Sequence, residues 1–550
     1  MRRIGQIGTL LFIMGVSLVS TLRVGAQKPV SKADQTTMGA TGSDWPSHGG
    51  TNLAWRYSGL TQINTSNVGK LRPAWNFQTG DYRNGLESTP IVVDGVLYVS
   101  AFDDVFALDG ATGDLIWKYA YEPVPGRSTG RNFGVAVGDG KVFLGTNDAH
   151  VVALDQKTGK EIWKVAADDP YACRLCSIEA APLIVKDKVI IGERGPRGRL
   201  TAFDMKTGHL VWRFYTIPGP GDPGHETWPN DDTWKTAGSN VWQTGSYDSD
   251  LNLVFWGTGD CCGIAFRGDT KFANLYSDSI LALDADTGKL RWHYQEIPHD
   301  VWDFDANWEL LIMDRPVRGS MRKLLVQFSK SGFTFVLDRV TGEFLGAYPY
   351  AKTNNWVKGI DGAGKLVGRN ETVPGQTSNI CPSEDGAKNW NQVAYSPRTG
   401  LAYLPVVEMC NDLALPKTPN VAPTFAFTAP PGGRSYTHLD AVDPVTGEVA
   451  WSYLYKFRIF ASILATAGDL MFAGDPEGHF FALDARTGKQ LWSFQTGASN
   501  HGSAVTYMAG GRQYIATPSG AGANVYLNQG FWPEAANWRI GSTLVVFALP

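Results

Sequence analysis

Residues 104–117 read DVFALDGATGDLIW, and the same sentence returns as VVALDQKTGKEIW at 151–163 and FFALDARTGKQLW at 480–492. Each copy is an apolar run, an Asp, a Thr-Gly pair and a Trp, in that order. The clear copies are Asp109-Thr112-Gly113-Trp117, Asp155-Thr158-Gly159-Trp163, Asp204-Thr207-Gly208-Trp212, Asp284-Thr287-Gly288-Trp292, Asp443-Thr446-Gly447-Trp451 and Asp484-Thr487-Gly488-Trp492, with constant Asp-to-Trp spacing. A further copy, Asp338-Thr341-Gly342, has Gly346 where Trp is due, and Trp75 in LRPAWNF reads as one more with its turn eroded. Repetition on this scale decides the architecture before any single residue is interpreted.

The apolar runs suit strands buried between layers. Asp can accept hydrogen bonds from the amides that a tight turn leaves unpaired, and Gly supplies the positive φ that closes the hairpin. The Trp then stands at one fixed place on the outgoing strand, large enough to fill a gap between neighbouring sheets. One hairpin cannot bury such a face alone, whereas copies arranged radially can. The pattern predicts an all-β protein, an eight-bladed β-propeller, in which STLVVFALP at 542–550 completes the first blade and closes the ring. An open β-solenoid fits less well, because these repeats are too long and too rich in loops.

The repeats span most of the 550 residues, so one large domain over 56–550 is expected rather than several. Sixty-two Gly, thirty Pro and nineteen Trp also favour strands and turns over long helices. Residues 1–26 have a basic start, an apolar middle and small residues at Gly25-Ala26, the pattern of a secretory signal cut after Ala26. The apolar run is short for a membrane anchor and Arg23 interrupts it. Residues 27–55 are polar and read as a leader. Loss of Arg2, Arg3 and Arg23 moves the formal net charge from −4 to −7. That acidity argues against nucleic acid as a partner and suits docking of a basic soluble protein. No integral membrane segment is expected after cleavage, and export places the chain in the periplasm.

Six cysteines, Cys173, Cys176, Cys261, Cys262, Cys381 and Cys410, are an even number in an exported chain and fit disulfides. Zinc at these cysteines has little support, since no further Cys or His pair has ligand spacing. No C-x-x-C-H occurs, so the sequence carries no covalent haem motif.

The segment EIPHDVWDFDANWELL, 296–311, crowds Asp300, Asp303 and Asp305 among Trp302, Phe304 and Trp308. Carboxylates in aromatic surroundings have raised pKa values or bind cations. Alone, the stretch reads equally well as a turn with ordinary Asp caps. Three further charges tip the balance: Glu193 in VIIGERGPRG, Asp260 in LVFWGTGD and Lys330 in LLVQFSKSGFTFVLD each follow an apolar strand. Charges at corresponding strand ends point to one converging site.

Together GTGD, HDVWDFDANWE and SKSGFTFVLDR resemble the alcohol dehydrogenases that depend on pyrroloquinoline quinone (PQQ), the quinoprotein methanol and ethanol dehydrogenase family. The resemblance runs from WPSHGG at 45–50 onward. It implies that Asp303 is the catalytic base and that Glu193, Asp260 and Asp303 ligate a metal. It further implies that Trp242 is the floor under the planar quinone and that Lys330 donates to the reactive quinone oxygen. Glu87, Asn389 and Trp390 fall on cofactor-lining positions, and Glu179 stands where a cofactor-contacting Thr is expected. Core packing is the competing role for Trp242. Cys381 and Cys410 match a family disulfide. The implied chemistry is proton removal by Asp303 while hydride passes to PQQ, with a separate soluble c-type cytochrome as electron acceptor.

The chain also departs from the family pattern. GRSTGRNFGVA at 126–136 has Arg127 and Ser128 where many members carry adjacent cysteines, and Phe133 in place of a cofactor-binding Arg. Its own adjacent pair, Cys261-Cys262, directly follows Asp260, and with Cys173 and Cys176 it is expected to rebuild part of the cofactor enclosure. The loop before Glu193 is shorter than usual. Asp305, two residues beyond Asp303, occupies the place of the extra acid that marks lanthanide-using members. The metal is therefore expected to be calcium or a lanthanide, with Glu193, Asp260, Asp303 and Asp305 as candidate ligands. The substrate class is a small primary alcohol, with sugars, aldehydes or polymeric alcohols as the runner-up. A non-catalytic scaffold built of similar repeats would not need Glu193, Asp260, Asp303 and Lys330 together.

Overall fold

The computed structural model describes residues 42–550 apart from 83–84, 128–129, 169–172, 174, 262–271, 419–420 and 523–530. The signal segment 1–26 and Cys262 thus lie outside the described residues. The chain folds as a β-propeller. Among the described residues there are one five-stranded and seven four-stranded sheets; most are meanders, while Tyr57–Ser58 adds in parallel to one and Arg72–Gln78 completes another. The sheet Ile91–Val93, Val96–Ala101, Asp104–Asp109 and Leu115–Tyr119 is typical, its middle strands buried and its outer strand half exposed. The ring closes as anticipated: Arg72–Gln78 pairs antiparallel with Thr543–Ala548, placing Trp75 opposite Val546.

The repeated motif does the same work in each copy. Asp109 Oδ1 accepts from the amides of Ala111 and Thr112 at 2.8 and 2.9 Å, and Gly113 N donates to Asp109 O at 2.8 Å. The following strand takes a bulge opposite Ala107 and Leu108, and equivalent bulges recur opposite Ala202/Phe203, Ala282/Leu283 and Ala482/Leu483. The Trp of one sheet lies on the turn glycine of the next. A Cβ on Gly113 would stand 2.5 Å from Trp75, one on Gly159 2.5 Å from Trp117 and one on Gly288 2.5 Å from Trp212. The indole N–H then donates to a carbonyl of the same turn, as Trp117 Nε1 does to Gln156 O at 3.1 Å and Trp212 Nε1 to Ala285 O at 3.1 Å. Glycine in this turn therefore meets two demands, positive φ and room for a neighbouring indole. Where Gly346 replaces the Trp, Tyr348 two residues on takes its place, with its Cβ 2.8 Å from where a Cβ on Gly447 would stand.

The expected leader, 27–55, ends inside packed chain. Trp45, Leu53 and Ala54 are buried. Backbone bonds tie this segment to successive inner strands, through Trp45 to Val92, Asn52 to Tyr247, Leu53 to Ile312 and Trp55 to Tyr395. Arg56, fully buried, donates to the carbonyls of Ile463, His48 and Ala504 at 2.8, 2.9 and 2.7 Å. Apolar side chains hold the polar segment only where such bonds satisfy its backbone.

Cys381 and Cys410 form a disulfide, as do Cys173 and Cys176. The first links Cys381, next after the edge strand Thr377–Ile380, to the start of the central strand Cys410–Ala414 in a separate three-stranded sheet completed by Thr424–Thr428.

Candidate active site

The innermost strands of six sheets begin at Ile91, Leu183, Ser246, Ala394, Leu464 and Val505, and the residues four positions earlier are Glu87, Glu179, Trp242, Trp390, Phe460 and His501. Phe133 and Trp308 stand shortly before the two remaining inner strands, which begin at Ala136 and Leu310. Six of these eight side chains thus share one register position, and Phe133 and Trp308 join them from neighbouring ones. Trp242 meets Trp308 edge-on at 5.3 Å and Phe133 at 6.5 Å, Trp390 stacks on Phe460 at 5.4 Å, and Phe460 stacks on His501 at 4.5 Å. Burial holds the His501 imidazole down to about 3, so it is neutral. Trp390 Nε1, both ring nitrogens of His501 and Glu179 Oε2 are buried without a hydrogen-bond partner among the described residues.

Beside this ring lie the acids. Asp300 Oδ1 accepts from Trp302 N at 2.8 Å and Oδ2 from Phe304 N at 2.6 Å, so one buried carboxylate organises the turn that follows. Within that turn Asp303 and Asp305 both adopt positive φ, 63° and 52°, a conformation Asp tolerates better than most residues. Asp305 Oδ1 accepts from Asp260 N at 2.9 Å, joining the two segments. Ligand oxygens of Asp260, Asp303 and Asp305 all lie within 4.8 Å of one another. Lys330 Nζ stands 3.4 Å from Asp303 Oδ2 and 3.5 Å from Asp305 Oδ2.

These charges govern one another. Burial pushes the Asp303 carboxyl well above the usual carboxylate range, Lys330 pulls it back, and Asp260 and Asp305 push it further up. Burial opposes the Lys330 ammonium, but Asp303, Asp305, Glu384 and Asp385 outweigh it and hold its pKa above that of an ordinary lysine. Burial and the neighbouring Asp385 raise Glu384 to about 7.

The structure brings Asp260, Asp303, Asp305 and Lys330 together and leaves Glu193 outside that cluster. Glu193 ends the strand Lys188–Glu193 opposite Arg199, whose Nε donates to its Oε2 at 2.6 Å, and Thr201 Oγ1 binds its other oxygen. The next residue, Arg194, turns to Glu179, Nη1 to Oε1 at 2.5 Å. Glu193 keeps strand register and faces its cross-strand partner. Asn389 accepts from Trp390 N at 3.0 Å and donates to Asp385 O at 3.1 Å, which fixes the approach of Trp390 to the ring. Glu87 faces Arg131, whose Nε is 3.7 Å from Glu87 Oε2 and whose Cζ lies 5.5 Å from the centre of the Trp390 ring. Cys261 is buried next to Asp260; of the four cysteines whose pairing the sequence leaves open, Cys173 and Cys176 pair with each other, and Cys262 lies outside the described residues.

Sequence reasoning did not single out Phe460, His501, Arg131 or Arg194, and it placed Trp308 only among the aromatics around the acids. Two of these, Phe460 and His501, were findable. They occupy the register of Glu87 and Trp242, four residues before an apolar strand, in RIFASILA and SNHGSAV.

The sequence profile of the family described as "PQQ: Glucose/ethanol/alcohol dehydrogenase, beta-propeller domain" matches residues 45–348 and 429–515. The chain is 36% identical to the quinohemoprotein alcohol dehydrogenase ADH IIB of Pseudomonas putida, over 98% of this chain and 82% of that protein. It is 35% identical to the quinoprotein alcohol dehydrogenase PedH of Pseudomonas putida, over 90% of this chain and 89% of that one. Among solved structures, a europium-containing methanol dehydrogenase superposes with a TM-score of 0.85 at 32% identity, covering 94% of this chain and 100% of the other.

Proposed function

Because the chain belongs to the PQQ β-propeller family of glucose, ethanol and alcohol dehydrogenases, we propose that it is a periplasmic enzyme that oxidises primary alcohols to aldehydes with PQQ and a metal ion, and passes electrons to a separate c-type cytochrome. The residues present fit both groups. Buried polar atoms without partners among the described residues, Trp390 Nε1 and the ring nitrogens of His501, lie among stacked aromatic rings, which suits a flat polar heterocycle. Three carboxylates sharing a space of 4.8 Å beside a single lysine suit a hard cation with oxygen ligands.

Asp260, Asp303 and Asp305 would hold the metal, and Glu87, Glu179, Trp242, Asn389, Trp390 and Lys330 would surround PQQ. The bound quinone and metal would supply a two-electron acceptor polarised to take hydride from the alcohol carbon. Asp303 takes the hydroxyl proton. It is the one member of the acid trio that is only partly buried, so an incoming hydroxyl can reach it. Lys330 holds its ammonium within reach of both Asp303 and Asp305, and so favours the ionised form that a base requires. The aromatic ring excludes water from the reacting atoms. Asp305 adds an anionic ligand beyond the other two, which favours a trivalent ion over a divalent one, with calcium as the alternative. Electrons would leave through a separate carrier, and the acidic chain suits a basic one.

The observation that carries this reading is Lys330 placed between two members of the acid trio at the edge of the aromatic ring. The test is reconstitution of the metal-free protein with PQQ and either calcium or a light lanthanide, followed by dye-linked oxidation of a panel of alcohols. Activity with one of the two metals supports it; no turnover and no quinone absorbance with either one sinks it.

A further inference from the structure

We propose that Arg131 and Arg194 form a two-armed clamp for the carboxylate groups of the quinone, a proposal that rests on the PQQ reading above. PQQ carries three carboxylates, yet the ring that would receive it contains two of its own, Glu87 and Glu179. An anionic ligand enters such a ring only if cations outweigh the glutamates. Each glutamate has a guanidinium beside it: Arg131 Nε is 3.7 Å from Glu87 Oε2, and Arg194 Nη1 is 2.5 Å from Glu179 Oε1.

Neither arginine is consumed by its glutamate. Their side chains remain 25% and 38% exposed, in contrast to Arg199, Arg458 and Lys388, which are 8%, 2% and 0% exposed and locked to Glu193, Asp385 and Glu309. Arg131 lies over the face of Trp390, and Arg194 lines a cavity of about 220 Å³ with Asn240 and Asp260. A guanidinium that keeps part of its donor fork open beside an aromatic face is suited to bidentate binding of a planar carboxylate.

Both arms are also fixed at the backbone. Asn147 Nδ2 donates to Arg131 O at 2.9 Å. Arg194 exchanges bonds with Ser177, N to O at 2.9 Å and O from N at 3.2 Å, and Gly195 N donates to Asn240 Oδ1 at 2.8 Å. Such anchoring lowers the ordering cost when a ligand arrives. The clamp follows from two local features of this chain: Arg131 two residues before the ring member Phe133, and the short turn after Glu193 that aims Arg194 at Glu179.

The experiment measures binding rather than turnover. Quenching of tryptophan fluorescence by PQQ, and in parallel by its uncharged trimethyl ester, gives two dissociation constants for the metal-free and the calcium-loaded protein. Arg131→Gln and Arg194→Gln should each weaken PQQ about tenfold or more and leave the ester unchanged, while Arg131→Lys and Arg194→Lys lose less. Unaltered PQQ binding in both Gln variants overturns the clamp and leaves the proposed function standing. Equal loss of PQQ and ester also overturns it, because the arginines then shape the ring without reading charge. If the wild-type protein binds no PQQ under either condition, clamp and PQQ reading fall together.

Discussion

Arg199 Nε lies 2.6 Å from Glu193 Oε2, and both side chains are buried. The pair occupies the carboxylate that the sequence resemblance offers to the metal. Glu193→Gln should therefore act on stability, by about 2 kcal/mol, because it weakens a charge-assisted bond to buried Arg199, which keeps Asp168 as its other carboxylate partner. Metal affinity should change far less. Chemical unfolding and metal titration of the same variant separate the two; a large loss of metal affinity with unchanged stability would show that Glu193 leaves Arg199 for the ion.

Asp303→Ala should lower kcat by at least about a hundredfold, the usual contribution of a positioned base. Melting temperature should hold or rise, since the substitution removes a carboxyl that burial disfavours. Steady-state kinetics beside a thermal melt check both halves, and a variant with wild-type kcat would move the base elsewhere.

Asp305→Asn should reduce activity supported by a lanthanide more than activity supported by calcium, because it removes one anionic ligand from the trio. The measurable quantity is the ratio of the two rates in variant and wild type. An unchanged ratio would place Asp305 outside the coordination sphere, held by Asp260 N and Lys330 alone.

Gly159→Ala should cost more than Gly95→Ala. Both glycines have positive φ, 68° and 77°, so each substitution carries about 1 kcal/mol of backbone strain. Gly95 has open space around it, but a Cβ on Gly159 would stand 2.5 Å from Trp117. Overpacking of that kind adds about 1–3 kcal/mol, readable in urea unfolding of the two variants.

His438 sits between two acids, Nδ1 2.7 Å from Asp440 Oδ2 and Nε2 3.1 Å from Glu408 Oε1. Burial disfavours its charge, yet Asp440 and Glu408 outweigh burial and raise its pKa above the ordinary 6.5. Its contribution to stability is thus full below 6.5 and fades as pH rises through the folded-state value. For Glu408, His438 and the Lys352 amide outweigh burial and depress the pKa below 4.5, so its contribution is full above 4.5 and fades in acid. The melting temperature of the wild type should exceed that of His438→Gln most between these limits, and the gap should narrow toward alkaline pH. A gap that is constant with pH would mean that the imidazole is neutral in the fold.

The architecture was legible because the motif encodes it in side chains that act locally. Asp109 and its equivalents cap their own turns, and each Trp reports the next glycine, so the repeat could be read without coordinates. The trio of Asp260, Asp303 and Asp305 was legible for a related reason: Asp260 lies just past a strand, and Asp303 and Asp305 share one short turn that Asp300 organises locally. Glu193 was harder, because a shortened loop decides whether a residue at a strand end looks into the mouth or across to its partner strand, and loop length alone does not give that direction. Tyr348 was missed because the position of the lost Trp was searched at one residue, while the space it fills can be reached from two residues further on. Arg131 and Arg194 carry no pattern at all; only the glutamates they face make them informative.

The pairing of Arg72–Gln78 with Thr543–Ala548 imposes a schedule on the molecule. Glu87 and His501 stand on opposite sides of that seam, with Gly522 close against both. A chain threaded N-terminus first holds an unsatisfied strand edge at 72–78 until nearly five hundred later residues have arrived, and loop closure over such a span is slow. The mouth that would bind the quinone does not exist in a half-emerged chain, so loading has to follow completion of the ring.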